Sequence, residues 1–85
     1  MRDIRFTGEA FEQYVDWKKT DKDVYSKINK LLIETARTPF QGIGKPEPLK
    51  HEYKGYWSRR ITSEHRLVYR VEEDFIKIIA CKLHY

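Results

Sequence analysis

Two periodicities divide the chain. After a short apolar opening at Ile4-Arg5-Phe6, hydrophobic positions recur at helical spacing, and beyond residue 56 they alternate as strands do. Ile4-Arg5-Phe6 predicts an opening strand, and Thr7 is placed to cap a helix that carries Phe11, Tyr14 and Val15 on one face. Thr20-Asp21 interrupts that helix, and Asp21 predicts the cap of a second. The second is the clearest local signal. Val24, Ile28, Leu31, Leu32 and Thr35 keep the three-four spacing of one buried stripe, and Pro39 ends it because the residue before a proline avoids helical geometry. Gln41 to Pro48 holds two glycines and two prolines and predicts a loop of defined shape, presenting Glu47 between Pro46 and Pro48.

Trp57 to Ile61, His65 to Val71 and Phe75 to Leu83 are rich in β-branched and aromatic residues and separated by short polar turns, so they predict three strands. In the last, Ile76, Ile78 and Ala80 share one face and Phe75, Ile79 and Cys81 the other; two apolar faces predict a strand inside the sheet. The fold class expected is α+β: an antiparallel twisted sheet with two N-terminal helices packed on one face, in a single domain spanning 1–85. The opposite sheet face is left for a ligand.

Composition changes this picture in three ways. The one cysteine, Cys81, excludes an internal disulfide and fits a reducing cytoplasm. The N-terminus has no long apolar run, so neither a signal peptide nor a membrane anchor is expected there. The formal net charge of +4 is weak evidence by itself. Its distribution says more. Lys45, Lys50, Lys54, Arg59, Arg60 and Arg66 fall in one stretch interleaved with Tyr53, Tyr56 and Trp57, the mixture of cations and aromatic faces that RNA surfaces use. The same residues would also suit a charged sheet whose aromatics pack the core.

Three features carry candidate chemistry: Glu47, Arg66 directly after His65, and the terminal His84-Tyr85. If they converge, a carboxylate can take the proton of an RNA 2′-hydroxyl, an imidazole can protonate the leaving 5′-oxygen, and a guanidinium can hold the charge on the phosphate oxygens. Taken singly, each has a plainer reading: a solvated loop carboxylate, an arginine paired with Glu64 or Glu72, a frayed terminus. A metal site is not indicated, because His51, His65 and His84 lack ligand spacing, and Gly42-Ile43-Gly44-Lys45 lacks the strand and helix that flank a phosphate loop. No cofactor is expected.

The blocks Thr38-Pro39-Phe40, Gly42, Gly44-Lys45-Pro46-Glu47-Pro48-Leu49-Lys50-His51, Gly55, Trp57-Ser58-Arg59-Arg60-Ile61, Glu64-His65-Arg66-Leu67-Val68-Tyr69, Ala80-Cys81 and His84-Tyr85 closely resemble the YoeB toxins of the RelE/ParE superfamily. The resemblance runs from the first helix to the last residue. It implies a microbial-ribonuclease-like fold and cleavage of mRNA in the ribosomal A site. By motif, Glu47 matches the general base, His84 the general acid and Arg66 the group that stabilises the transition-state phosphate, while Lys50, Arg60 and Tyr85 match substrate-binding positions. Implied partners are a YefM-like cognate antitoxin, the ribosome and mRNA, with operator DNA reached only through the antitoxin and homodimers common in the family. Lys82-Leu83 departs from the arginine and aromatic often found before the histidine, which affects bidentate phosphate contact and stacking. Two rivals stand beside this reading: a gyrase poison of the ParE branch, which lacks the Glu47, Arg66, His84-Tyr85 set, and a binding module without catalysis.

Overall fold

The computed structural model describes residues 1–83. Strand β1 (Asp3–Phe6) leads into α1 (Gly8–Thr20) and α2 (Lys22–Arg37); β2 (Glu47–Pro48), a 3₁₀ turn (His51–Tyr53), β3 (Trp57–Arg60), β4 (Arg66–Val71) and β5 (Phe75–Ala80) follow. Both helix starts form as expected. The Thr7 hydroxyl accepts from the Ala10 amide, and the Asp21 carboxylate accepts from the Asp23 and Val24 amides, each satisfying donors that a helix N-terminus leaves open. Val24, Ile28, Leu31, Leu32 and Thr35 of α2 are all buried against the sheet.

The first helix presents a different face from the one its largest side chains predict. Ala10 is fully buried and Tyr14 and Trp17 pack on the core, whereas Phe11 is 52% and Val15 37% exposed. Positions 10, 14 and 17 share a face as well as 11, 14 and 15 do. Tyr14, which donates to Asn29 of α2 at 2.6 Å, belongs to both sets; Trp17 belongs to the first alone, and its Nε1 donates to the Cys81 carbonyl at 2.9 Å, a bond the second would forfeit.

The five strands form one sheet in the order β1-β5-β4-β3-β2. The expected α+β class and the helix pair are present, and three of the four strand pairings are antiparallel. The exception is β1, which lies parallel to β5. Tight turns force β3, β4 and β5 to alternate, but β1 joins the sheet through two helices, a connection that leaves its direction unfixed by any hairpin. β5 is interior, between β1 and β4. It ends at Ala80 rather than running on to Leu83.

On the helix-facing side Leu67, Tyr69, Ile76 and Ile78 are fully buried beside Ile28 and Leu31. Arg59 is there too, with no exposed surface. Its guanidinium donates to the carbonyls of Ile43 at 3.1 Å, Gln41 at 2.9 Å and Thr38, and its Nε to the Tyr69 hydroxyl at 3.2 Å. Tyr69 in turn donates to the Pro39 carbonyl at 2.7 Å. One buried cation therefore organises the 38–43 loop, which corrects its expected place on an RNA surface. Trp57 is corrected likewise: it packs on the core and against Phe40, ring centroids 4.9 Å apart.

Candidate active site on the open sheet face

Side chains in register across a sheet share a face, as do those two residues apart on a strand. Glu47 lies opposite Ser58, and Ser58 opposite Val68; Arg60 lies opposite Arg66. Arg59 and Leu67 take the helix side, so Glu47, Ser58, Arg60 and Arg66 occupy the other. Glu47 and Arg60 are diagonal neighbours, about 7–8 Å apart at Cα. Glu47 and Arg66 are two strands and one two-residue step apart, about 12 Å.

Glu47 stands in a two-residue edge strand rather than a loop. Proline is tolerated there because an edge strand has one side without a ladder to break. The approach is built by Gly42 and Gly44, at φ +114° and +81°, conformations that favour glycine. At Gly44 a Cβ would lie 3.0 Å from Leu31 and 3.1 Å from both Arg59 Cβ and the Arg60 carbonyl. The Arg60 amide donates to the Gly44 carbonyl at 2.7 Å, tying the loop that carries Glu47 to the strand that carries Arg60.

Electrostatics mark this face. The Arg60 amide goes to Gly44 and the Arg66 amide to Leu83, so Arg60 and Arg66 form a non-hydrogen-bonded pair, the type whose Cα atoms approach to about 4.5 Å. Like charges directly opposite destabilise a sheet. Among the described residues the one ion pair within 4 Å is Arg70 with Glu72, at 3.0 Å, so neither Arg60 nor Arg66 has a carboxylate partner there. That pairing also removes Glu72 from the expected surface pairing with Arg66. Arg66 Nη1 instead donates to the carbonyls of Thr62 at 2.7 Å and His65 at 3.1 Å. This fixes the guanidinium plane. A polyanion laid across the sheet would relieve the repulsion.

The remaining sequence candidates are distributed as follows. Lys50 is exposed beyond the end of β2 and lines a hollow of about 430 Å³ with Leu49, His51, Glu52 and Tyr53. His84 and Tyr85 lie outside the described residues. The chain that leads to them is held firmly. β4 and β5 are antiparallel, which brings the end of β5 beside the start of β4. The Arg66 amide donates to the Leu83 carbonyl at 2.8 Å, and the Leu83 amide donates to His65 Nδ1 at 2.8 Å. Gln13 Oε1 accepts from the Cys81 amide at 2.8 Å. Gln13, Trp17 and His65 hold this segment, a part the sequence reading did not give them. Their partners are backbone groups many residues away, which no spacing rule registers. The thiol of Cys81 is buried, and burial pushes its pKa up to about 12, so it is protonated at neutral pH.

Comparison with known proteins settles the family. The family model described as YoeB-like toxin of bacterial type II toxin-antitoxin system matches residues 6–85. The chain belongs to this family. It is 57% identical over 80 residues to Toxin YoeB of Escherichia coli strain K12, covering 94% of this chain and 95% of that one. It superposes on the YoeB dimer from Staphylococcus aureus with a TM-score of 0.92 at 49% identity, covering 99% and 98% of the two chains. The heterotetrameric YoeB-YefM toxin-antitoxin complex from the same organism gives 0.90 at 49% identity, covering 100% and 99%. The YoeB fold thus accounts for the mixed sheet.

Proposed function

We propose that this toxin is a ribosome-dependent endoribonuclease that cleaves mRNA in the A site by metal-independent acid–base catalysis, and that a YefM-like antitoxin neutralises it. The observation that carries the reading is the sheet face itself, where Glu47 shares a side with Arg60 and Arg66 and none of the three has an ion-pair partner among the described residues.

In the proposed reaction Glu47 accepts the proton of the 2′-hydroxyl, and the 2′-oxygen attacks the adjacent phosphorus. The P–O5′ bond breaks, and His84 donates a proton to the departing 5′-oxygen. Arg66, with Arg60 beside it, stabilises the charge that builds on the non-bridging oxygens. The 5′ fragment ends in a cyclic phosphate that water can open, and the 3′ fragment starts with a 5′-hydroxyl. Base, acid and electrostatic stabiliser are then all side chains, so the scheme calls on no metal. Lys50 and Tyr85 are assigned to the scissile phosphate and the substrate base. Each acid–base group contributes about 10²–10⁴-fold.

The +4 net charge favours both ribosomal RNA and an acidic antitoxin tail. Operator DNA would be contacted by the antitoxin, and a homodimer like that of the Staphylococcus aureus relative is the assembly proposed. Among the described residues no helix is long and apolar enough to cross a membrane. The test is growth arrest on induction. Glu47→Ala and His84→Ala should each abolish toxicity while antitoxin binding persists. Full toxicity of both would refute the acid–base assignment.

A further inference from the structure

We propose that His65 is a positioning residue: its Nδ1 accepts the Leu83 amide and so fixes the peptide unit from which the chain continues into His84. The proposal rests on the catalytic role assigned to His84 above.

The case begins where β5 stops. After Ala80 the chain leaves the strand, and residues 81–83 make no ladder with β4. Four bonds hold their backbone groups instead. The Cys81 amide donates to Gln13 Oε1 at 2.8 Å and its carbonyl accepts from Trp17 Nε1 at 2.9 Å. The Leu83 amide donates to His65 Nδ1 at 2.8 Å and its carbonyl accepts from the Arg66 amide at 2.8 Å. The backbone is thus gripped by α1 at one residue and by the start of β4 at the next but one. Leu83 adopts φ +60°, a left-handed conformation that a γ-branched residue seldom takes. Its side chain is 59% exposed, so apolar burial does not impose that turn. The two bonds of its own peptide groups do.

His65 is shaped for this task. Its ring meets the Trp17 ring edge-on, centroids 4.8 Å apart at 75°. Its amide donates to the Thr62 hydroxyl at 3.1 Å, and its carbonyl accepts from the Ile61 amide at 2.9 Å. The backbone that carries the imidazole is thereby fixed, and the Trp17 ring packs against the imidazole itself. Because an amide N–H points at Nδ1, the ring proton must sit on Nε2. The bond spans eighteen residues of sequence and acts on the last peptide groups before His84. Acid catalysis is sensitive to placement, and a misplacement of about 1 Å can cost about 100-fold in rate.

The experiment uses full-length protein labelled with ¹⁵N. Long-range ¹H–¹⁵N correlation should show His65 as the Nε2–H tautomer, and the Nδ1–H tautomer would overturn the proposal without any variant. His65→Leu removes the acceptor; His65→Asn keeps an oxygen near the Nδ1 position. Leu83 amide exchange should accelerate about tenfold in His65→Leu, the loss of one hydrogen bond, and return towards the native rate in His65→Asn. On programmed ribosomes His65→Leu should lower kcat at least about tenfold with little change in KM, and His65→Asn should recover most of it. Unchanged exchange in a folded His65→Leu would refute the clamp. Faster exchange with unchanged kcat would refute the positioning role. If the native protein cuts no RNA, the reading of His84 fails, while the tautomer and exchange results still decide whether the clamp exists.

Discussion

Arg59→Met asks how much of this small fold hangs on one buried cation. Methionine keeps most of the side-chain volume, so the loss isolates the hydrogen bonds from any cavity. The guanidinium makes four bonds, to the carbonyls of Thr38, Gln41 and Ile43 and to the Tyr69 hydroxyl. Tyr69 retains its bond to the Pro39 carbonyl, so its loss is small. The three carbonyls belong to exposed residues that water can partly reach, which places each near 1 kcal/mol rather than at the upper figure for bonds to a charged group. Their sum is about 3 kcal/mol. A domain this size has about 4–13 kcal/mol of total stability, and 1 kcal/mol moves its midpoint about 4–8 °C. Arg59→Met should therefore lower Tm by about 12–24 °C. Arg59→Lys, which keeps the charge but cannot span the three carbonyls, should fall between. Calorimetry or thermal circular dichroism measures it, with Glu47→Ala in every protein so that the toxin can be produced. A drop below about 4 °C for Arg59→Met would show that the loop is held by something else.

The other predictions concern backbone and core. Gly44→Ala should cost about 2 kcal/mol or more, because it adds a crowded Cβ to a φ of +81°. Gly55→Ala, at φ +98° with nothing within 4 Å, should cost about 1 kcal/mol, so equal shifts in urea midpoint would refute the packing argument. Cys81 should resist alkylation at pH 8 while the protein is folded, since burial raises its thiol from 9.0 to about 12. The native state then keeps a proton that the unfolded state releases, so stability should fall as pH rises from about 9 to about 12. Labelling at the rate of a free thiol without unfolding would contradict this.

What the sequence revealed depended on whether a signal was local. Thr7 and Asp21 act within three residues, and the α2 stripe repeats four times, so both helix starts and the main core face could be read directly. Glu47 and Arg66 entered through their motifs, and the register explains why they share a face. Arg59 was misplaced by its charge, although alternation puts it in phase with Trp57 and Ile61, two positions that pack on or in the core. Phe11 and Val15 misled through size; the burial of Ala10 and the hydrogen bond from Trp17, not apolar bulk, mark the buried face of α1. The parallel β1 and the His65 bond to Leu83 depend on elements that meet only after folding, and neither leaves a periodic trace.

The most direct test of the account maps the 5′ ends of a defined mRNA after incubation with purified toxin, with and without translating ribosomes. The account predicts new ends inside codons, bearing 5′-hydroxyls, only when ribosomes are present, and none with Glu47→Ala. No new ends in either condition from folded protein would contradict it and would favour a gyrase poison or a binding module on the same fold.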